Sequence, residues 1–189
     1  MLIDRILAYC READYVTEEQ APWVRYILEK NITTVCGAIP FLLFAVVLTS
    51  WETAFAFLLT FYLIRSRING FHARTFIGCL VASVVCEYIF LGIIYPYLAV
   101  EIKLCILFVA TVLILVFAPF QHTNMPLTQD EYLACRRSAR ARTIIIALLG
   151  ITLSFANCHL VADGIIMGVA MAAVMLVLAY LQKKGVDVQ

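Results

Sequence analysis

Charged residues are scarce in this sequence. Only 14% of its 189 residues are Asp, Glu, Lys or Arg, whereas 63% are hydrophobic. A soluble domain is typically about a quarter charged and roughly half apolar. The composition therefore excludes a soluble globular domain. It also excludes a disordered chain, which would need low hydrophobicity, and a polytopic membrane protein remains.

An excess of either charge is also missing. The chain carries 14 basic and 13 acidic residues, which gives a net charge of +1. Because nucleic-acid-binding domains usually present a strongly basic face, nothing here favours a nucleic-acid partner. No short basic stretch leads into an apolar core near Met1. We therefore expect no cleavable signal peptide.

Long apolar segments are what the sequence does contain. A membrane-spanning helix needs about 20 apolar residues. Six candidate segments follow one another: Asn31–Ser50, Trp51–Ile64, Phe76–Tyr95, Ala99–Pro119, Thr143–Asn157 and Ile165–Leu181. The second segment is short, and two interpretations are open for it: a short or tilted helix, or a re-entrant hairpin with the first segment.

The basic residues orient these segments. Lys and Arg concentrate in the cytoplasmic connections of membrane proteins. Here all of them except Lys103 fall in the termini and in alternate connections. The alternation predicts an all-α protein with six membrane-spanning helices and both termini in the cytoplasm.

This topology divides the chain into three parts. Residues 1–30 are predicted to form amphipathic helices, which either lie in the membrane interface or pack on the bundle from the cytoplasm. Residues 31–181 form the six-span domain, with cytoplasmic loops at 65–78 and 120–142. Residues 182–189 are a cytoplasmic tail.

Paired metal-binding or redox cysteines are absent. None of the seven cysteines has C-x-x-C spacing, and most fall inside apolar segments, where a free Cys behaves as a small apolar residue. Of the three histidines, the predicted topology places His159 on the opposite side of the membrane from His72 and His122. We therefore predict no metal site and no cofactor.

The segment 65–79, Arg-Ser-Arg-Ile-Asn-Gly-Phe-His-Ala-Arg-Thr-Phe-Ile-Gly-Cys, breaks the apolar pattern. It holds His72 and Cys79, and a Cys nucleophile needs a nearby base, most often a neutral His. On a continuous helix, residues seven apart are separated by a rise of about 10 Å. The pair can meet only if the helix is broken, and we expect a loop or re-entrant turn for which Gly70 and Gly78 are best suited.

The pattern Arg65-x4-Gly70-x-His72-x6-Cys79 resembles the signature of the accessory gene regulator B family of bacterial membrane endopeptidases. A second similarity is the stretch 117–126, Phe-Ala-Pro-Phe-Gln-His-Thr-Asn-Met-Pro, which precedes a basic stretch. The chain length, the six apolar segments and the amphipathic N-terminus are similar too. One departure is Asn69, where the family often has Gly; Asn also tolerates left-handed backbone.

The resemblance implies a thiol protease of the bacterial cell membrane. Such a protein cleaves a short precursor peptide of the accessory gene regulator D type, which has an acidic C-terminal tail. It then cyclises the peptide as a thiolactone or lactone, which serves as a quorum-sensing signal. The resemblance implies that Cys79 is the nucleophile and His72 its base, with Arg65 and Gly70 supporting the site.

Further polar residues have two interpretations each. Arg65 and Arg67 either bind peptide carboxylates and oxyanion charge or only fix the topology. Glu87 either lines a peptide cavity or is protonated and hydrogen-bonded to a neighbouring helix. The cluster Arg136, Arg137, Arg140 and Arg142 either docks the acidic tail of the peptide or contacts lipid headgroups.

One alternative function stays open from the residues alone. The chain would then be a small membrane exporter or interaction protein in which Cys79 is structural. The sequence does not give the oligomeric state, and a homodimer is compatible with a chain of this size.

Overall fold

The computed structural model describes residues 2–13, 15–68, 76–120 and 128–186, and every regular element in these ranges is helical. The seven α-helices are α1 (Leu2–Glu12), α2 (Ala21–Leu48), α3 (Trp51–Ile68), α4 (Phe76–Glu87), α5 (Val100–Phe117), α6 (Gln129–Phe155) and α7 (His159–Val186). A π-helical segment and a short 3-10 turn follow α4, at Tyr88–Ile94 and Tyr95–Tyr97. The predicted all-α class is confirmed.

Three of the described helices are long and apolar enough to cross a membrane. They cover Val100–Phe117, Gln129–Phe155 and His159–Gln182, and two shorter apolar helices cover Gly37–Leu48 and Val81–Tyr97. The count of six spans therefore stays a prediction. The short second segment forms one helix of 18 residues, α3, which is about 27 Å long at about 1.5 Å per residue.

The chain divides into two compact units, residues 1–41 and residues 42–189. In the first unit, Arg25 donates a hydrogen bond of 2.8 Å to Asp4, and Arg11 pairs with Glu18 at 3.4 Å. Both pairs are exposed to solvent, where such ion pairs contribute about 0–1 kcal/mol to stability.

In the second unit, α7 is the central helix and packs against α3, α5 and α6. Its middle, from Ala162 to Ala173, is buried throughout. Two glycines one helical turn apart, Gly164 and Gly168, lie directly on the backbone of α3. A Cβ at Gly164 would overlap the Thr53 carbonyl oxygen, and one at Gly168 would lie 2.8 Å from the Phe57 carbonyl oxygen. This Gly-x-x-x-Gly contact lets the two helices approach more closely than side chains would allow.

A polar cluster ties one end of this unit together. Lys103 of α5 donates a 2.8 Å hydrogen bond to Asp163 of α7, and each residue is only 8% exposed. The Lys103 ammonium also lies 4.6 Å from the centre of the Tyr95 ring. Beside them, the Thr53 hydroxyl of α3 donates to the Leu160 carbonyl at 2.9 Å. Three helices and the 3-10 turn therefore meet at this cluster.

We expect Gly168→Ala to loosen the α3–α7 contact. The new methyl group meets backbone atoms, which cannot rotate away, so the helices must separate at a cost of about 1–3 kcal/mol. The measurement is the thermal unfolding midpoint of the purified chain in detergent. Gly150→Ala is the matched control, because the three atoms nearest to its Cβ belong to side chains, with the Ile165 Cγ2 at 3.1 Å and the Leu107 Cδ2 at 3.6 Å, and none is a backbone atom. Equal midpoints for the two variants would contradict the close contact.

Lys103→Met and Asp163→Leu should each be strongly destabilising alone, by about 3–5 kcal/mol, because each leaves a buried charge without its partner. The double variant should recover most of this loss, since two apolar side chains need no partner. A double-mutant cycle of unfolding free energies measures the coupling. Arg11→Met, which breaks an exposed pair, should cost at most about 1 kcal/mol. Additive losses in the cycle would show that the pair is not coupled.

Candidate functional site

The predicted reactive residues lie at the junction between α3 and α4. Cys79 is the fourth residue of α4, which begins at Phe76; its side chain is outside the described part. Gly70 and His72 fall in residues 69–75, which are outside the described residues. The predicted chain break between His72 and Cys79 falls on the same residues and stays a prediction.

Arg65 and Arg67 lie in the last turn of α3. Arg65 is half-buried, and Arg67 is exposed. Ile64 and Ile68, the buried residues on either side, are both 0% exposed and anchor this turn in the core. Cations in the last turn of a helix also interact favourably with its negative dipole end.

Arg142 of α6 binds the same turn of α3. One Nη atom of Arg142 donates to the Leu63 carbonyl at 3.2 Å and to the Ser66 hydroxyl at 3.4 Å. The Leu63 carbonyl also accepts from the Ser66 hydroxyl at 3.0 Å, so Arg142 joins a small hydrogen-bonded group near the end of α3. Arg142 therefore ties α6 to this part of α3, shortly before the segment that carries Gly70 and His72. In the sequence, Arg142 belongs to the basic cluster, and nothing in that pattern marks this role.

The described start of the stretch 117–126 is joined to the end of α3. Phe120, which follows α5, donates its backbone N–H to the Ile68 carbonyl at 2.9 Å. Tyr180 of α7 holds this start by donating to the Phe117 carbonyl at 2.8 Å. Its ring also packs edge-on against Phe120, with ring centres 4.9 Å apart. Phe120 therefore contacts the end of α3; His122 falls outside the described residues.

The remaining arginines of the basic cluster belong to α6. This helix starts at a capping box, in which Glu131 accepts 2.9 Å hydrogen bonds from the Thr128 backbone N–H and hydroxyl. These bonds lower the pKa of Glu131. Arg140 donates to the Leu115 carbonyl at 3.1 Å, near the end of α5. Arg136 is half-buried, and Arg137 is exposed.

Glu87 is the last residue of α4, directly before the π-helical segment. Its side chain is 0% exposed, and neither carboxyl oxygen has a hydrogen-bond partner among the described residues. One interpretation expects the Glu87 carboxyl to be hydrogen-bonded to a neighbouring helix. The described residues supply no partner for this hydrogen bond. The eight residues between Cys79 and Glu87 amount to a rise of about 12 Å, so the carboxyl does not belong to the immediate surroundings of Cys79.

Across the described ranges, no group of three His, Cys, Asp or Glu side chains is arranged to hold a metal ion. What the structure brings together is the Arg65 turn of α3, Arg142 of α6 and the chain after α5. Arg136 and Arg140 of α6 lie instead beside the end of α5.

The model of the Accessory gene regulator B family matches residues 3–178, nearly the whole chain. Searches of curated proteins and of solved structures returned no match.

The fixed end of α3 leads to a prediction about backbone protection. Arg142→Gln removes a charged donor from the Leu63 carbonyl, a hydrogen bond of about 1.5–3 kcal/mol. Amide hydrogen exchange at Arg67 and Ile68 should become at least about tenfold faster. Arg137→Gln removes the same charge from an exposed position on the same helix and should leave these amides unchanged. Equal exchange rates in the two variants would show that Arg142 does not hold the turn.

Proposed function

Because the chain belongs to the accessory gene regulator B family, we propose that it is a membrane-embedded cysteine endopeptidase and peptide cyclase. The family acts in quorum sensing, where it processes precursor peptides of the accessory gene regulator D type. In the proposal, Cys79 is the nucleophile and His72 is its general base. The substrate is a short precursor peptide with an acidic C-terminal tail.

The proposed reaction consists of two acyl transfers. The Cys79 thiolate attacks the scissile carbonyl, and the C–N bond breaks as His72 delivers a proton to the leaving amine. The N-terminal part of the peptide is then held as a thioester on Cys79. An internal thiol of the peptide gives its proton to the now neutral His72 and attacks this thioester. The bond to Cys79 breaks, the Cys79 thiolate leaves and a thiolactone ring closes. A peptide with Ser at that position would give a lactone.

The second step sets a physical requirement on the site. Exchange of one thioester for another is close to neutral in free energy, so the ring forms only if water does not hydrolyse the intermediate first. A site at the face of a helical membrane bundle limits the access of water to the thioester. This requirement favours a position at the end of apolar helices, where Cys79 lies.

The observation that carries the proposal is the match of the Accessory gene regulator B family model to residues 3–178, a range that includes both His72 and Cys79. Cys79 lies in α4, and His72 precedes it by seven residues in the sequence. Neighbouring cations lower the pKa of a thiol, and Arg65, Arg67 and Arg74 are close to Cys79 in the sequence. A short stretch of chain therefore supplies the base, the nucleophile and the cations.

The supporting residues take their proposed roles from their positions. Arg65 lies in the half-buried last turn of α3, which Arg142 and Phe120 fix, so its cation is held near the start of the reactive segment. There it is suited to bind developing oxyanion charge or a peptide carboxylate. Gly70 supplies the backbone freedom that a turn before His72 requires. Arg67 is exposed and contributes a cation to the peptide entrance. Glu87 is fully buried in this arrangement of the chain and is out of reach of a peptide there.

Cleavage of a candidate precursor peptide in membrane vesicles tests the assignment. Cys79→Ala and His72→Ala should each reduce cleavage by at least about a thousandfold, because the nucleophile and its base act as one unit. Cys86→Ala is the control, since Cys86 is a half-buried thiol on the same helix. It should cleave at the normal rate. Cleavage by an inserted Cys79→Ala protein would exclude the cysteine mechanism and favour a role in export or scaffolding.

The acyl-enzyme provides a second readout. A precursor peptide whose internal Cys is replaced by Ala cannot close the ring. It should leave a peptide adduct on Cys79 that mass spectrometry detects and that hydroxylamine removes. An adduct on another cysteine would support the protease function but would show that this other cysteine, and not Cys79, is the nucleophile.

A further inference from the structure

A groove runs between the end of α5 and the first half of α6. It has a volume of about 500 Å³ and is lined by Leu115, Val116, Arg136, Arg140 and Ile144. We call it the α5–α6 groove. None of the residues proposed for catalysis lines it, so its role is a separate question from the peptide chemistry.

The groove is cationic at one end and apolar at the other. Arg136, Arg140 and Ile144 are four residues apart on α6, so they share one face with a rise of about 6 Å per step. The same face continues to Leu148, which is 57% exposed. On the α5 side, Val116 is 57% exposed. A ligand that fits both ends has an anionic group and a hydrocarbon part about 6–12 Å away from it.

At the cationic end of the groove, one arginine is held by a hydrogen bond, and the other has an N–H donor without an acceptor among the described residues. Arg140 uses its Nε to donate to the Leu115 carbonyl, which fixes the guanidinium at the groove wall. The Nε of Arg136 is buried and has no hydrogen-bond partner among the described residues. A buried donor without an acceptor costs about 1–3 kcal/mol. The lining contains no carboxylate, so the positive charges of Arg136 and Arg140 are not neutralised within the groove and attract an anionic ligand.

From this arrangement we infer that the α5–α6 groove binds an anionic phospholipid. The phosphate lies at Arg136 and Arg140, and an acyl chain lies along Val116 and Ile144. Basic pockets between membrane helices are suited to acidic lipid headgroups. The apolar wall favours a lipid over an acidic peptide tail, because a charged peptide gains nothing from contact with exposed Val and Ile side chains. The inference does not depend on the proposed protease activity.

The test uses the purified full chain in detergent. Binding of phosphatidylglycerol is compared with binding of phosphatidylcholine that has the same acyl chains, by native mass spectrometry across a lipid titration. We expect phosphatidylglycerol to bind at least tenfold more tightly. Arg136→Gln and Val116→Trp should each reduce this preference at least fivefold, since one removes the phosphate donor and the other fills the exposed chain path. Arg137→Gln, with the same loss of charge outside the groove, should change it less than twofold.

Other outcomes would overturn the inference. Equal binding of the two lipids would remove the headgroup site. If Val116→Trp keeps the preference for phosphatidylglycerol, the acyl chain does not bind in the groove and only the headgroup makes contact. If glycerol phosphate binds as tightly as phosphatidylglycerol, the groove is a simple anion site. A synthetic acidic peptide that displaces phosphatidylglycerol from the wild type, but not from Arg136→Gln, would assign the groove to a peptide.

Discussion

The close approach of α7 to α3 is the constraint on which the second unit depends. Helices in a membrane gain little from burying apolar side chains, because lipid is equally apolar, so they associate through tight packing. Gly164 and Gly168 supply it by exposing their backbone to the carbonyls of Thr53 and Phe57. This contact makes α7 the centre of the unit, and α5 and α6 pack on its remaining faces.

The same contact positions the proposed site through α3. Near its start, α3 is joined to α7 by the bond from Thr53 to Leu160. At its other end, Arg142 and Phe120 bind carbonyls of the last turn. A helix held at its middle and at both ends cannot shift easily along its axis. Arg65 and the residue at which the reactive segment begins are therefore held in a fixed position. Acyl transfer requires this because its rate depends on how the reacting groups are oriented.

Apolar patterns located these helices but not their full lengths. The predicted second segment ends at Ile64, whereas α3 continues to Ile68, and the fifth begins at Thr143, whereas α6 begins at Gln129. In both cases the additional stretch of helix carries arginines. A count of apolar residues finds the part of a helix that would lie in the membrane interior. It misses the part of the same helix that continues past the interior and carries arginines. The capping box at Thr128 was the available signal for the start of α6.

The contacts that assemble the site could not be predicted from the sequence, for a different reason. The motif from Arg65 to Cys79 and the stretch 117–126 were each recognisable, but their junction is a bond between the backbones of Phe120 and Ile68. Backbone groups are present at every residue, so no residue type marks such a bond. Lys103 and Asp163 are marked by charge, yet they are 60 residues apart and only the fold pairs them.

The arginines of α6 show how one pattern carries several functions. By sequence they form a single basic stretch, which predicts a cytoplasmic position for this connection. In the structure, Arg142 binds α3 near its end and Arg140 binds the end of α5, while the Nε of Arg136 has no hydrogen-bond partner among the described residues. The last carbonyls of a helix lack a partner within it, and Arg140 supplies a donor to such a carbonyl at Leu115. The charge that predicts the topology therefore also provides hydrogen bonds between helices, and the same stretch lines the α5–α6 groove.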